Sequence, residues 1–275
     1  MLLGMGERPA ILSRGYARRI SDPGVVVVSD GRNILSDVEH SGDEPLMLAR
    51  AVPRAAVLVG SSRYMSGRFG ETRLGCTVHV LDDGFQHFDL MRDVDLLVSP
   101  DALDDVRTLP YGRFREPLDA AAAADALLIE DGTPPAPDLK VQTAFRFTRQ
   151  LANMAPAPAF AFAGIARPQR FYDDLERAGW RLMGRRSFPD HHHYSASDLR
   201  DVNAAAMASG AQVIVTTEKD IVRLSSPAFQ RRSSIDDRPG SIVDGLGIVA
   251  VPLQITIEPA FDAWLAERLR AVRTG

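Results

Sequence analysis

Short apolar runs recur along the chain, separated by segments with helical spacing. Pro9 to Leu12, Val25 to Val28, Ala56 to Val59, Val78 to Leu81, Val94 to Val98 and Ala126 to Ile129 are mostly continuous in hydrophobicity, not alternating. Such runs predict strands covered on both faces, as in a parallel sheet. Helices are expected between them, at Glu44 to Ala51, Ser62 to Leu74 and Pro117 to Ala124. The βα alternation predicts an α/β fold with a doubly wound, mostly parallel sheet.

From Asp131 to Pro137 the composition shifts to Gly, Pro and Asp, which marks a boundary. A core domain is expected over 1–138 and a smaller α/β domain over 139–275. Lys140 to Arg149 alternates in part and reads as a hairpin arm linking them, near 140–150. A second βα series follows. Ala159 to Ala163 predicts a strand, Pro168 to Ala178 a helix opened by proline and stopped at Gly179. Ser197 to Ala208 predicts a helix capped by Ser197, Val213 to Thr216 a strand, and Glu218 to Leu224 a helix. Ile248 to Ile257 reads as one strand and Ala260 to Val272 as a closing amphipathic helix. Ser225 to Asp244 reads as a polar surface loop.

With 275 residues and 45% apolar side chains, the chain can bury a sizeable core. A net charge of -4 argues against nucleic acid as a partner. The 32 basic residues include only two lysines, Lys140 and Lys219. The single cysteine, Cys76, rules out an internal disulfide or a cysteine-built metal site, and reads as a small buried hydrophobe. No apolar run approaches the ~20 residues of a membrane-spanning helix.

Several segments could carry chemistry. Val78 to Leu81 leads into Asp82-Asp83-Gly84-Phe85-Gln86-His87. An apolar strand delivering paired carboxylates to the carboxyl edge of a sheet suits a magnesium–nucleotide site, since Mg²⁺ takes oxygen ligands. A polar turn after a buried strand reads the same way. Ser13-Arg14-Gly15-Tyr16-Ala17-Arg18-Arg19 follows the first strand and could meet phosphate with forked donors, or be a solvated loop. Gly42-Asp43-Glu44-Pro45 has ordinary helix-start chemistry, and also offers Asp43 as a general base. Adjacent side chains point in different directions, so His191-His192-His193 reads as a loop orienting one imidazole, not as three ligands of one ion. Arg113-Phe114-Arg115-Glu116-Pro117 and Thr216-Thr217-Glu218-Lys219-Asp220 both read as helix starts with a possible site role.

In this order and spacing, the segments resemble the tetraacyldisaccharide 4'-kinase family of lipid A biosynthesis. The resemblance rests on Pro9 to Tyr16, Gly42 to Leu46, Leu81 to His87, Arg115 to Leu118, Phe162 to Ile165, Phe188 to His191 and Thr216 to Asp220. It implies a P-loop-kinase-like core. It implies transfer of the ATP γ-phosphoryl, with Mg²⁺, to the 4'-hydroxyl of a tetraacylated glucosamine disaccharide 1-phosphate. A monomer in peripheral contact with the cytoplasmic face of the inner membrane is expected. On the matching positions, Asp43 would be the base and His191 its partner across a cleft. Asp82 and Asp83 would hold Mg²⁺, with His87 beside the nucleotide. Ser13, Arg14, Tyr16, Arg63, Arg115 and Glu116 would position substrate.

The resemblance also calls for a Gly-Lys-Thr loop one helix before Ser13, and places Met1 inside that helix. Neither lysine follows a glycine, so residues 1–275 hold no such pair. Ala17 stands where glycine is expected, and Asp101 to Pro110 departs from the pattern. A start codon set too far downstream is the favoured explanation, a true truncation the other; in-frame codons upstream of Met1 would separate them. A P-loop stabilises phosphates through backbone amides and its lysine. Residues 1–275 alone are therefore expected to bind ATP poorly and turn over little, checked by calorimetry and a kinase assay. Two other readings stand beside the kinase. One is an Asp/His metallohydrolase built on Asp82, Asp83, His87 and His191 to His193, which requires tightly bound Zn²⁺ or Mn²⁺. The other is a non-catalytic relic that binds lipid or nucleotide.

Overall fold

A computed structural model describes the chain except residues 17, 21–22, 101–105, 113, 135–136, 226–241, 244–245 and 275. It comprises two compact units, each discontinuous in sequence. The first takes Met1–Asp82 and Leu151–Leu253, the second Asp83–Gln150 and Gln254–Gly275.

The first unit holds two sheets. Strands β1 (Pro9–Ser13), β2 (Val26–Asp30), β3 (Ala56–Val59) and β4 (Val78–Leu81) lie in the order β2-β3-β1-β4. β3 and β4 flank β1 in parallel, while β2 joins antiparallel. The interior strands are apolar throughout because both faces are covered: Val57, Leu58, Val59 and Leu12 are fully buried. Helices α1 (Val38–Ser41), α2 (Asp43–Ala51) and α3 (Arg63–Phe69) connect them, and α3 runs on through a π-helical turn at Gly70–Leu74. Cys76 is buried against Leu12 and Leu58, and burial pushes its thiol pKa up.

The second sheet is built from β8 (Pro158–Ala163), β9 (Arg181–Ser187), β10 (Val213–Thr216), β11 (Ile242–Val243) and β12 (Leu246–Ala250), ordered β11-β12-β10-β8-β9. All its pairs are parallel except β11 with β12. Helices α4 (Pro168–Arg177), α5 (Ala196–Ala208) and α6 (Glu218–Leu224) complete it. Val222 of α6 packs among Leu46, Val57 and Val59, so α6 also belongs to the core of the first sheet.

The second unit is a sheet of β5 (Leu96–Val98), β6 (Ala126–Glu130), β7 (Ala144–Leu151) and β13 (Leu253–Ile257), ordered β13-β7-β6-β5. Helix α7 (Pro259–Thr274) covers one face through Phe261 and Trp264 on Phe145.

The parallel α/β class and most elements agree with the sequence reading; several details differ. The composition shift at 131–137 lies inside the second unit, between β6 and β7, which pair in parallel. β7 is thus not a hairpin arm. Its other neighbour, β13, comes from more than a hundred residues away, and Glu258 N–H donates to the Arg146 carbonyl at 3.0 Å. The single strand expected over Ile248 to Ile257 is two, broken where Pro252 lacks an N–H for a ladder. The stretch after Pro117 is a 3-10 helix, Leu118–Ala123, because Ala124 turns extended to enter β6. Helix α5 is capped by Ser195, not Ser197: Ser195 is extended and exchanges hydrogen bonds with Asp198 in a capping box. Strand β9 carries Arg181, Arg185 and Arg186, which hid its pattern at this sheet edge. Most of the loop expected over Ser225 to Asp244, along with Ala17, Arg113 and Asp101 to Asp105, lies outside the described residues.

Candidate active site

In the first sheet, β1 lies between β3 and β4, and its carboxyl end is where such sheets receive ligands. Ser13 ends β1 and Asp82 follows β4. The Ser13 hydroxyl donates to Asp82 Oδ2 at 3.0 Å, and Asp82 N–H donates to the Leu12 carbonyl at 3.0 Å. The chain then turns through Gly15, whose φ of 69° favours glycine. A Cβ there would come within 2.4 Å of a Val59 methyl. Gly42, at φ 86°, meets this loop closely: a Cβ on it would lie 2.8 Å from the Tyr16 carbonyl oxygen. Two glycines therefore let the loop after β1 press against the start of α2, where Asp43 sits.

Asp43 is 5% exposed. Its Oδ2 is 3.0 Å from His191 Nδ1 and accepts from Arg223 Nε at 2.7 Å. Its Oδ1 accepts the Glu44 N–H at 2.9 Å. Arg223 Nη2 lies 2.5 Å from the same Oδ2, at an angle too poor to count as a second hydrogen bond. Burial pushes the Asp43 carboxyl up, but Arg223, Lys219 and His191 more than reverse this and hold it below the usual carboxylate range.

His191 follows β9 in a loop, with a φ of 57°, a left-handed conformation that histidine, like asparagine and aspartate, adopts more readily than most residues. Its N–H donates to Asp190 Oδ1 at 2.9 Å, and the Tyr16 ring meets its imidazole edge-on at 5.4 Å. The other two histidines have separate tasks. His192 stacks on Phe188 at 4.7 Å and contacts Asp198 Oδ2 at 3.2 Å. Burial, then Arg19 and Arg223, hold His193 below the ordinary imidazole value.

Behind Asp43 lies a buried network in which the sequence reading had singled out Thr217 and Asp220 but not Arg223 or Tyr194. Asp220, on α6, is fully buried. Its Oδ1 accepts from Arg223 Nη1 at 2.9 Å, the Tyr194 hydroxyl at 2.7 Å and Gly164 N–H at 3.1 Å. Its Oδ2 accepts from Thr217 Oγ1 at 2.7 Å. Arg223 Nη1 also donates to the Gly164 carbonyl at 2.6 Å. Lys219 reaches Glu44 Oε1 at 2.8 Å. The signal available was the spacing of Asp220 and Arg223, one turn apart, which reads equally well as a solvated helix face.

The structure thus brings Ser13, Tyr16, Asp43, Asp82 and His191 into one neighbourhood of the first unit, with Arg14 exposed on the same loop. Arg63 is buried and donates to the Gly60 carbonyl at 3.0 Å, a grip on the turn after β3. In the second unit, Arg115 Nη1 donates to Asp83 Oδ2 at 2.8 Å and Gln86 Oε1 at 3.3 Å. Asp83 has a φ of 50°. Next to Arg115, Glu116 Oε1 is buried with no partner among the described residues. The His87 carbonyl accepts from Arg92 Nη1 at 2.6 Å, a grip on the Gly84–His87 turn that follows Asp83. Among the described residues no cluster of three His, Cys, Asp or Glu could hold a metal ion, so the metallohydrolase reading finds no geometry there. No described helix is long and apolar enough to cross a membrane.

A sequence model of the tetraacyldisaccharide-1-P 4'-kinase family matches residues 1–270. The chain belongs to this family. Its relatives include a tetraacyldisaccharide 4'-kinase from Desulfotalea psychrophila, 36% identical over 255 residues, covering 84% of this chain and 73% of the relative. Another, from Koribacter versatilis, is 40% identical over 230 residues, 78% of this chain and 68% of that one. Among solved structures, the "apo" form of LpxK from Aquifex aeolicus in complex with ATP superposes with a TM-score of 0.74 at 26% identity. The match covers 98% of this chain and 80% of that one. The family is one of α/β phosphotransferases, in agreement with the sequence reading of fold and enzyme class.

Proposed function

We propose that this chain activates the acceptor in an ATP-dependent 4'-kinase acting on a tetraacylated glucosamine disaccharide 1-phosphate. The observation that carries the reading is the pairing of buried Asp43 with His191, 148 residues apart, beside the Ser13–Asp82 pair at the end of β1. Asp43 accepts the proton of the 4'-hydroxyl while its oxygen bonds to the γ-phosphorus and the bond to ADP breaks. His191 orients the Asp43 carboxylate through Nδ1. Tyr16, packed on that imidazole, and Arg14 line the approach to it and position the sugar and its phosphate.

Ser13 and Asp82 form an all-oxygen pair at neighbouring strand ends, which suits a hard divalent cation that keeps water and phosphate oxygens as its other ligands. Asp82 would hold Mg²⁺ directly or through water, with Ser13 fixing its carboxylate. Bound there, Mg²⁺ would supply neutralisation of charge on the phosphates. Asp83 is ion-paired to Arg115. We place the enzyme peripherally on the cytoplasmic face of the inner membrane, where ATP and a lipid acceptor meet.

The test is transfer of labelled γ-phosphate to the purified disaccharide 1-phosphate. One arm uses residues 1–275. The other uses the gene expressed from its own locus with whatever lies upstream of Met1. Label at the 4'-position in the second arm supports the reading. Absence of transfer in both arms, or label on another hydroxyl, overturns it.

A further inference from the structure

The proposed base has two carboxylate oxygens in unlike surroundings. A carboxylate oxygen offers about two lone-pair directions. Those of Asp43 Oδ2 are taken by Arg223 Nε and His191 Nδ1. Among the described residues Oδ1 accepts only the Glu44 N–H, which leaves one direction open. Arg223 cannot drift from this position. Its Nη1 is tied to Asp220 at 2.9 Å and to the Gly164 carbonyl at 2.6 Å, and the side chain is 4% exposed. Asp220 is itself fixed by Tyr194, Thr217 and Gly164. A planar fork bonded at several points carries orientation as well as charge, which a lysine cannot reproduce.

We infer that Arg223, anchored by Asp220 and the Gly164 carbonyl, is a positioning residue that locks the Asp43 carboxylate so that Oδ1 faces the acceptor hydroxyl. The inference rests on Asp43 being the base. The proton then moves from the 4'-hydroxyl to Oδ1, and Oδ2 stays bound to Arg223 and His191 throughout. Arg223 also opposes the effect of burial and keeps Asp43 ionised between turnovers. The other charged or titratable groups around Asp43 are Lys219 and Asp220 from α6, Glu44 from its own helix, and Asp190, His191 and His193 from the loop after β9.

The experiment reads the Asp43 carboxyl directly, without turnover. Carbon-13 shifts of aspartate carboxyls are followed against pH in residues 1–275, with Asp43→Asn identifying the resonance. In Arg223→Met the Asp43 midpoint moves upward; in Arg223→Lys it falls between the two. An amide spectrum checks that each variant is folded. If Arg223→Met does not fold, Arg223→Lys decides alone, and its midpoint must still lie above the parent. An unmoved Asp43 midpoint in a folded variant overturns the inference. In the locus-expressed kinase, Arg223→Met lowers kcat by roughly 10²-fold, the loss expected from misplacing a reacting group by about an ångström, while KM stays nearly constant. Arg223→Lys recovers part of it, and the acid limb of the rate profile moves to higher pH in Arg223→Met. A fall in KM affinity with unchanged kcat also overturns it. The base reading fails separately, if Asp43→Asn remains active.

Discussion

Asp43→Asn lowers turnover of the locus-expressed kinase by roughly 10²–10⁴-fold, the contribution expected of a positioned general base. The substitution keeps the shape of the side chain, and an amide oxygen can still accept from Arg223 Nε and face His191. What is lost is the ability to take a proton. The substrate contacts proposed for Arg14 and Tyr16 are untouched, so kcat falls and KM changes little. Steady-state kinetics on the disaccharide 1-phosphate separate the two, and a variant retaining most of its kcat removes Asp43 from the chemistry. The same variant changes acid stability in a defined direction. The folded Asp43 pKa lies below its unfolded value of ~3.9, because Arg223, Lys219 and His191 outweigh burial. Its stabilisation is therefore complete above that unfolded value and is lost as pH falls through the folded one. Asp43→Asn lacks that part of the acid dependence.

Asp220→Ala destabilises the first unit by about 3–5 kcal/mol, the usual consequence of removing one partner of a buried ion pair. Arg223 keeps Asp43 and the Gly164 carbonyl, but Gly164 N–H and the Tyr194 hydroxyl lose their acceptor inside the core, and half-buried Thr217 loses its own. The two tryptophans make the measurement specific. Trp180 packs with Phe171 and Leu175 in the first unit, and Trp264 packs on Phe145 and Phe261 in the second. In a Trp264→Phe background, urea unfolding followed by fluorescence reports the first unit alone. A midpoint shift worth less than about 1 kcal/mol would mean the network is not needed to hold α6 in place.

The parts of the fold that the sequence made legible are those governed by local chemistry. Continuous apolar runs located β1, β3, β4, β8 and β10, because a strand covered on both faces has no polar period to confuse. Pro168 and Gly179 located α4 from end chemistry alone. What escaped was decided at long range. β9 escaped because its arginines make an edge strand look like a loop. The units are discontinuous because β13 and α7 return to sheet β5–β7, and no periodicity records a return. At the site, the pairing of Asp43 with His191 was legible only through motif order. Arg223 was legible only as a residue one turn from Asp220. A helix bearing Lys219, Asp220 and Arg223 reads as wet, and only packing against α2 and β12 makes it dry.

One edge has a consequence for anyone handling the protein. β4 ends its sheet with Val78, His79, Val80 and Leu81, and Val80 is 42% exposed. Its outer rim of amides and carbonyls carries no proline, lysine or bulge to turn a neighbour away. An open rim of this kind can accept a foreign backbone, and its length of only four residues limits how firmly one could be held there.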